Sequence, residues 1–130
     1  VLWGEDGAAH GASAGAILVD MGTISPELTR EFAARAGEMG LRFLDCPVSG
    51  GTVGAQNGTL SIMVGGTESD LEEIRPVLEA MGQTITYCGP VGAGQATKLC
   101  NQICGALNIL GVCEALALAQ KMGVDGAKVQ

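Results

Sequence analysis

Along residues 15–88, short unbroken apolar runs alternate with segments of helical period, and this alternation constrains the fold more than any other feature. Residues 15–20 (G-A-I-L-V-D) form one such run closed by an acid, the pattern of a parallel strand covered on both faces. Ser25, Pro26 and Glu27 then offer a helix N-cap, a first-turn proline and a first-turn acid. Leu28, Phe32, Ala36 and Met39 follow at helical spacing, with Gly40 as a stop. Residues 41–48, 59–64 and 84–88 read as further strands, and the glycines at 50, 51, 54 and 58 predict a loop over 49–58. Thr67 caps a helix with Leu71, Ile74, Leu78 and Met81 on its apolar face, and Pro76 inside it predicts a kink or an early end. From residue 94 to about 122 the pattern is one helix, apolar nearly all round, which predicts burial on most sides. Alternating strands and helices make residues 1–92 an α/β layer. Residues 93–130 then open a second, helical domain.

At 130 residues, 47% hydrophobic and 16% charged, the chain has the composition of a modest folded domain. A formal net charge of -7 repels polyphosphate, and 3% aromatic residues supply little surface for base stacking. Neither nucleic acid nor a membrane is therefore an expected partner. No run is read as having the unbroken apolar length of a membrane span, and no leader opens the chain. Cys46, Cys88, Cys100, Cys104 and Cys113 are odd in number, lack a C-x-x-C pair and have apolar neighbours, so they are expected as buried free thiols in a reducing cytoplasm. Cys100 and Cys104 share a helix face, but the single histidine, His10, lies far off in sequence, and no metal site is expected. The opening V-L-W-G-E-D-G reads as the end of an element running into a turn, and the chain stops soon after its long helix. An internal piece of a longer protein is the expectation.

Three constellations carry chemistry. Lys98, Asn101, Gln102, Gly105 and Asn108 fall on one stripe of the otherwise apolar helix. A lysine there is desolvated and needs a partner or a task, although a side chain near a helix start can also snorkel to water. D-C-P-V-S-G-G at residues 45–51 leaves a strand through Ser49, Gly50 and Gly51, whose backbone N–H groups and hydroxyl can cradle an anion; an ordinary glycine-rich turn has the same composition. D-M-G-T-I-S-P at residues 20–26 puts Thr23 just past another strand end, near a helix start that Ser25 is better placed to cap. G-A-G at 92–94 lacks the third glycine of a dinucleotide fingerprint and precedes the wrong element.

The order of these motifs, D-M-x-T-I-S-P, then D-C-P-V-S-G-G-T-V-G-A-Q-N-G-T-L-S-I-M-V-G-G, then G-P-V-G-A-G-Q-A-T-K-L-C-N-Q, resembles the β-hydroxyacid dehydrogenase family over essentially the whole chain. That family includes 3-hydroxyisobutyrate dehydrogenase and 2-hydroxy-3-oxopropionate (tartronate semialdehyde) reductase. The resemblance implies the second half of a Rossmann-type domain binding NAD or NADP, followed by the first long helix of an all-α domain. It implies that Lys98 is the catalytic lysine, that Ser49, Gly50 and Gly51 grip the substrate carboxylate, and that Thr23 lies beside the nicotinamide. Asn101 and Gln102 then supply hydrogen bonds to substrate oxygens. Many members carry Asn four residues after the lysine, where this chain has Gln102. The K-L-x-N-Q form, with A-L-N-I at 106–109, looks more like the tartronate semialdehyde reductase branch than the isobutyrate one.

The implied partners are a small hydroxy acid and, at full length, further copies of the same chain. The pyrophosphate turn and the residue that separates NAD from NADP are expected upstream of Val1. A non-catalytic dehydrogenase-like interaction module is the rival reading; such modules can lose the lysine that is present here.

Overall fold

The computed structural model describes residues 1–129, which divide by their contacts into two compact units, Val1–Lys98 and a second that begins at Leu99. The first unit holds a mixed sheet. Strand β1 (Ile17–Asp20) pairs in parallel with β2 (Arg42–Asp45), in a register that sets Asp20 beside Asp45. Strand β3 (Val48–Ser49) runs antiparallel to β4 (Leu60–Gly65), which is parallel to β5 (Gly82–Gly89).

The strand expected over 41–48 is interrupted. Up to Asp45 it ladders with β1, and beyond it the chain passes to β4: Asp45 faces Gly65, Val48 faces Ile62 and Ser49 faces Ser61. Pro47 lies at this change of partner; it has no N–H to give a ladder, but its carbonyl accepts from Met63 N–H at 3.0 Å. β1 is an edge strand, so Val19 is 36% exposed where cover on both faces is expected.

Successive strand residues point to opposite faces, and two cores result. Leu44, Ile62 and Val64 pack with Leu71 and Leu78 of α4 (Glu68–Glu79). Phe43 and Leu18 pack instead with Ala36 of α2 (Pro26–Glu38) and Ala9 of the short α1 (Ala8–Gly11). Each buried Leu or Phe stabilises the fold by about 1.5–3 kcal/mol. The caps follow the sequence: Ser25 Oγ accepts from Leu28 N–H at 3.1 Å and Thr67 Oγ1 from Asp70 N–H at 3.2 Å. Helix α4 continues three residues past Pro76 before it ends at Glu79.

Three further expectations need correction. The segment 49–58 is not all loop, because α3 (Gly51–Asn57) occupies most of it. Gly50 and Gly51, at φ 134° and 61°, turn the chain into this helix, and Gly58 in the left-handed region ends it.

The long helix α5 (Ala93–Lys121) runs unbroken through Gly105, but its expected burial is not observed. Among the described residues of the second unit only Ala119 is buried, and Leu107, Ile109 and Leu110 are more than half exposed. By length and composition alone α5 is also apolar enough to cross a membrane, contrary to the expectation that no segment is.

Candidate active site

The site is built where β1 and β2 end. The loop after β1 folds back on its own acid, with Asp20 Oδ1 accepting from Gly22 N–H at 2.9 Å. Asp45, at the end of β2, is wholly buried, and both its oxygens serve the start of α5. Oδ1 accepts from Gly92 N–H at 2.7 Å and Oδ2 from Gln95 N–H at 2.8 Å. A carboxylate is well suited here, because the first N–H groups of a helix have no intrahelical acceptor and carry its positive dipole end. The fit is close: a Cβ on Gly94 would lie 2.5 Å from the Met63 carbonyl oxygen and 2.8 Å from that of Asp45. This explains the second glycine of G-A-G, which lets a helix start rest on strand ends without any dinucleotide.

Gln95 is fully buried, and its amide joins α5 to the loop after β1. Nε2 donates to the Gly22 carbonyl at 2.8 Å, and Oε1 accepts from Ile24 N–H at 3.2 Å. Thr23, between those two residues, is exposed, and Ser25 rather than Thr23 caps α2. Its hydroxyl is therefore not taken up by the cap.

Lys98 follows Gln95 by one turn and is 7% exposed. Among the described residues no carboxylate pairs with it. At 7% exposure most of the Lys98 stem is covered, as expected of a lysine set in the start of a packed helix. An amine at the end of a buried stem, with no carboxylate partner, can exchange a proton with a molecule placed against it.

Ser49 is half-buried at the end of β3, and Gly50 and Gly51 lead into α3. A Cβ on Gly50 would come within 3.1 Å of Leu60 Cδ2, on top of the strain of its positive φ. Asn101 and Gln102 are exposed on the part of α5 in the second unit. The structure thus joins the Thr23 loop, the end of β2 and the Lys98 turn through hydrogen bonds. Ser49 lies four residues along the chain from Asp45.

Sequence reasoning singled out neither Asp45 nor Gln95. The available signals were an acid closing a strand and an amide three residues before the lysine, on the same helix face.

Cys46 lies beside Asp45 with its thiol pushed up to about 12 by burial, reinforced by the charges of Asp45 and Asp20. It is an inert packing residue. All five cysteines are free, but the expected burial is found for Cys46 alone, since Cys88 is intermediate and Cys100, Cys104 and Cys113 lie exposed on α5. Among the described residues no group of three or more His, Cys, Asp or Glu is placed to hold a metal.

Strands whose ends deliver a helix-capping acid, a hydroxyl-bearing loop and a buried lysine define the latter part of a Rossmann-type domain. The chain matches the family profile described as the NAD binding domain of 6-phosphogluconate dehydrogenase over residues 1–89. Over residues 92–130 it matches that described as NAD-binding of NADP-dependent 3-hydroxyisobutyrate dehydrogenase. The chain belongs to the β-hydroxyacid dehydrogenase family, whose cofactor is NAD or NADP.

It is 48% identical over 130 residues to 2-hydroxy-3-oxopropionate reductase of Escherichia coli, covering all of this chain and 44% of that protein. A solved structure of 3-hydroxyisobutyrate dehydrogenase from Mycobacterium tuberculosis with L-serine superposes with a TM-score of 0.84 at 44% identity, over 90% of this chain and 40% of that one. Psf3 in complex with NADP+ and 2-OPP gives a TM-score of 0.87 at 33% identity, over 95% of this chain and 43% of that one. The chain spans less than half the length of the curated relatives it matches. The second match takes in the whole of α5.

Proposed function

We propose that this sequence is the central part of an NAD(P)-dependent oxidoreductase acting on a small β-hydroxy acid or its semialdehyde, with Lys98 as general acid and base. The observation that carries the reading is the buried Lys98, with no carboxylate partner among the described residues, one turn beyond the Gln95 bridge. Its domain boundary is placed near residue 92, its setting is the cytoplasm, and it acts as an oligomer of like chains. The free thiols and the exposed apolar surface of α5 support the last two assignments.

The residues present fit one end of the cofactor. The Thr23 loop is held from behind by Gln95 and leaves Gly22 and Thr23 exposed in front, a polar surface for the nicotinamide end. When bound, NAD or NADP accepts or supplies the hydride. This chain's residues do the rest. In oxidation the carbinol C–H bond breaks with its electron pair leaving, the C=O bond forms, and the hydroxyl proton passes to the Lys98 amine. In reduction Lys98 returns a proton to the nascent alkoxide. Ser49 and the N–H groups of Gly50 and Gly51 hold the substrate carboxylate and so orient the carbinol carbon. Asn101 and Gln102 bond its remaining oxygens.

The substrate favoured here is tartronate semialdehyde, on the K-L-C-N-Q segment and the 48% identity to the E. coli reductase. 3-Hydroxyisobutyrate is the alternative, favoured by the likeness to the mycobacterial dehydrogenase. Kinetics on both substrates, in a polypeptide carrying this sequence at the full length of its relatives, decide between them. In that protein Lys98→Ala lowers kcat by roughly 10²–10⁴-fold with little change in dinucleotide affinity. Ser49→Ala chiefly raises substrate KM, because a carboxylate contact exists in ground and transition states alike. Wild-type turnover by Lys98→Met, with a raised melting temperature, would show that the lysine only snorkels and leave a non-catalytic module as the better reading.

A further inference from the structure

The mechanism above uses Gln95 only as a support behind the Thr23 loop, although it is one of the largest fully buried side chains among the described residues. A buried amide is costly unless both its ends are satisfied, and here both ends are committed to a single distant loop. Nε2 donates to the carbonyl of Gly22 and Oε1 accepts from the N–H of Ile24, the residues on either side of Thr23. One hydrogen bond would leave the loop free to pivot, whereas a bond on each side of Thr23 fixes its backbone in both position and rotation. The Gln95 backbone is itself anchored, since its N–H donates to Asp45 Oδ2 while Gly92 N–H donates to Oδ1. A continuous polar path therefore runs from the end of β2 through the first turn of α5 to the loop, and Lys98 is three residues further along the same helix face.

We infer that Gln95 is a positioning residue that locks the nicotinamide-side loop and the lysine-bearing turn of α5 into one rigid frame, so that hydride acceptor and proton acceptor keep a fixed relation. The inference rests on the dehydrogenase reading above. Only an amide of this length meets the geometry. Glutamate would set an anion against the Gly22 carbonyl and add a second buried charge beside Asp45. Asparagine is one methylene short, and methionine has neither donor nor acceptor.

The test uses the polypeptide at the full length of its relatives, with Gln95→Met removing both bonds and Gln95→Glu keeping only the acceptor for Ile24. Amide hydrogen exchange at Ile24 is measured alongside steady-state kinetics in which dinucleotide and hydroxy acid are varied separately. The frame predicts faster exchange at Ile24 in Gln95→Met and a smaller change in Gln95→Glu. It also predicts a raised dinucleotide KM, an unchanged hydroxy-acid KM, and a kcat lower by about ten- to a hundredfold, the scale of a small misplacement of reacting groups. A purely structural role would lower the melting temperature without that split between the two KM values. Unchanged Ile24 exchange in Gln95→Met would remove the grip itself. Accelerated exchange with kcat and dinucleotide KM as in the parent would show that the grip exists but positions nothing. A parent that neither binds dinucleotide nor turns over any hydroxy acid would instead sink the dehydrogenase reading, and this inference with it, whatever Ile24 does.

Discussion

Replacing Asp45 with alanine tests whether the start of α5 is held by one side chain. The carboxylate accepts two buried hydrogen bonds, from Gly92 N–H at 2.7 Å and Gln95 N–H at 2.8 Å. Both donors are backbone groups and remain when the acceptor is removed, so each is left unsatisfied at about 1–3 kcal/mol. No second change can make the site apolar, which is the usual route by which a lost buried charge proves harmless. Asp45→Ala is therefore expected to cost about 2–6 kcal/mol, a large share of the roughly 5–15 kcal/mol that holds a domain folded. Asp45→Asn keeps one acceptor oxygen but turns an NH₂ towards the other N–H, and is expected to lose about half as much. Urea unfolding of the chain, followed by tryptophan fluorescence, measures both. The chain's single tryptophan, Trp3, lies against Phe32 with ring centroids 5.6 Å apart, so the signal reports the first unit. The midpoint should fall with the slope unchanged. A loss below about 1 kcal/mol for Asp45→Ala would match an ordinary surface cap and refute the two-bond anchor.

Four further perturbations test other parts of the chain. A thiol reagent at pH 8 should modify Cys100, Cys104 and Cys113 quickly and leave Cys46 untouched until the chain unfolds, as mass spectrometry of the labelled peptides would show. Because the Cys46 thiol moves from 9.0 to about 12 on folding, the native state keeps a proton that the unfolded chain loses between those values. Its contribution to stability therefore falls by about 1.4 kcal/mol per pH unit in that window and is constant below it, and Cys46→Ala should flatten the alkaline slope. Gly50→Ala should cost about 1–3 kcal/mol from backbone strain and raise substrate KM. By contrast Gly105→Ala, where a Cβ meets nothing within 4 Å, should stabilise α5 by up to about 1 kcal/mol in thermal melts.

What could be read from the sequence, and what could not, divides by the range of the interaction. Ser25, Thr67 and Gly40 mark helix ends through bonds to residues three or four positions away, and they were visible as letters. Lys98 was visible because a cation in an apolar helix breaks a local pattern. Helix α3 was hidden because its glycines argue against helix, while what fixes it is the pair of positive-φ turns before it and the left-handed Gly58 after it. Gln95 shares the helix face of Lys98, but its role could not be read, since its partners lie 71 and 73 residues away and no periodicity announces them.

The exposed surface of α5 shows the opposite limit. Its apolar residues state that a surface must be covered but not by what, so a prediction of burial on most sides holds only where the covering elements are present. Folded monomers rarely leave so continuous an apolar surface open. Ile103, Leu107, Ile109, Leu110 and Val112 stay more than half exposed in this chain. A surface of that kind is a demand for partners, whereas the polar contacts around Asp45 and Gln95 are already satisfied within the first unit. The backbone of the first turns of α5 is thus tied to the end of β2 and to the loop after β1 by bonds within the first unit, whatever covers the rest of the helix.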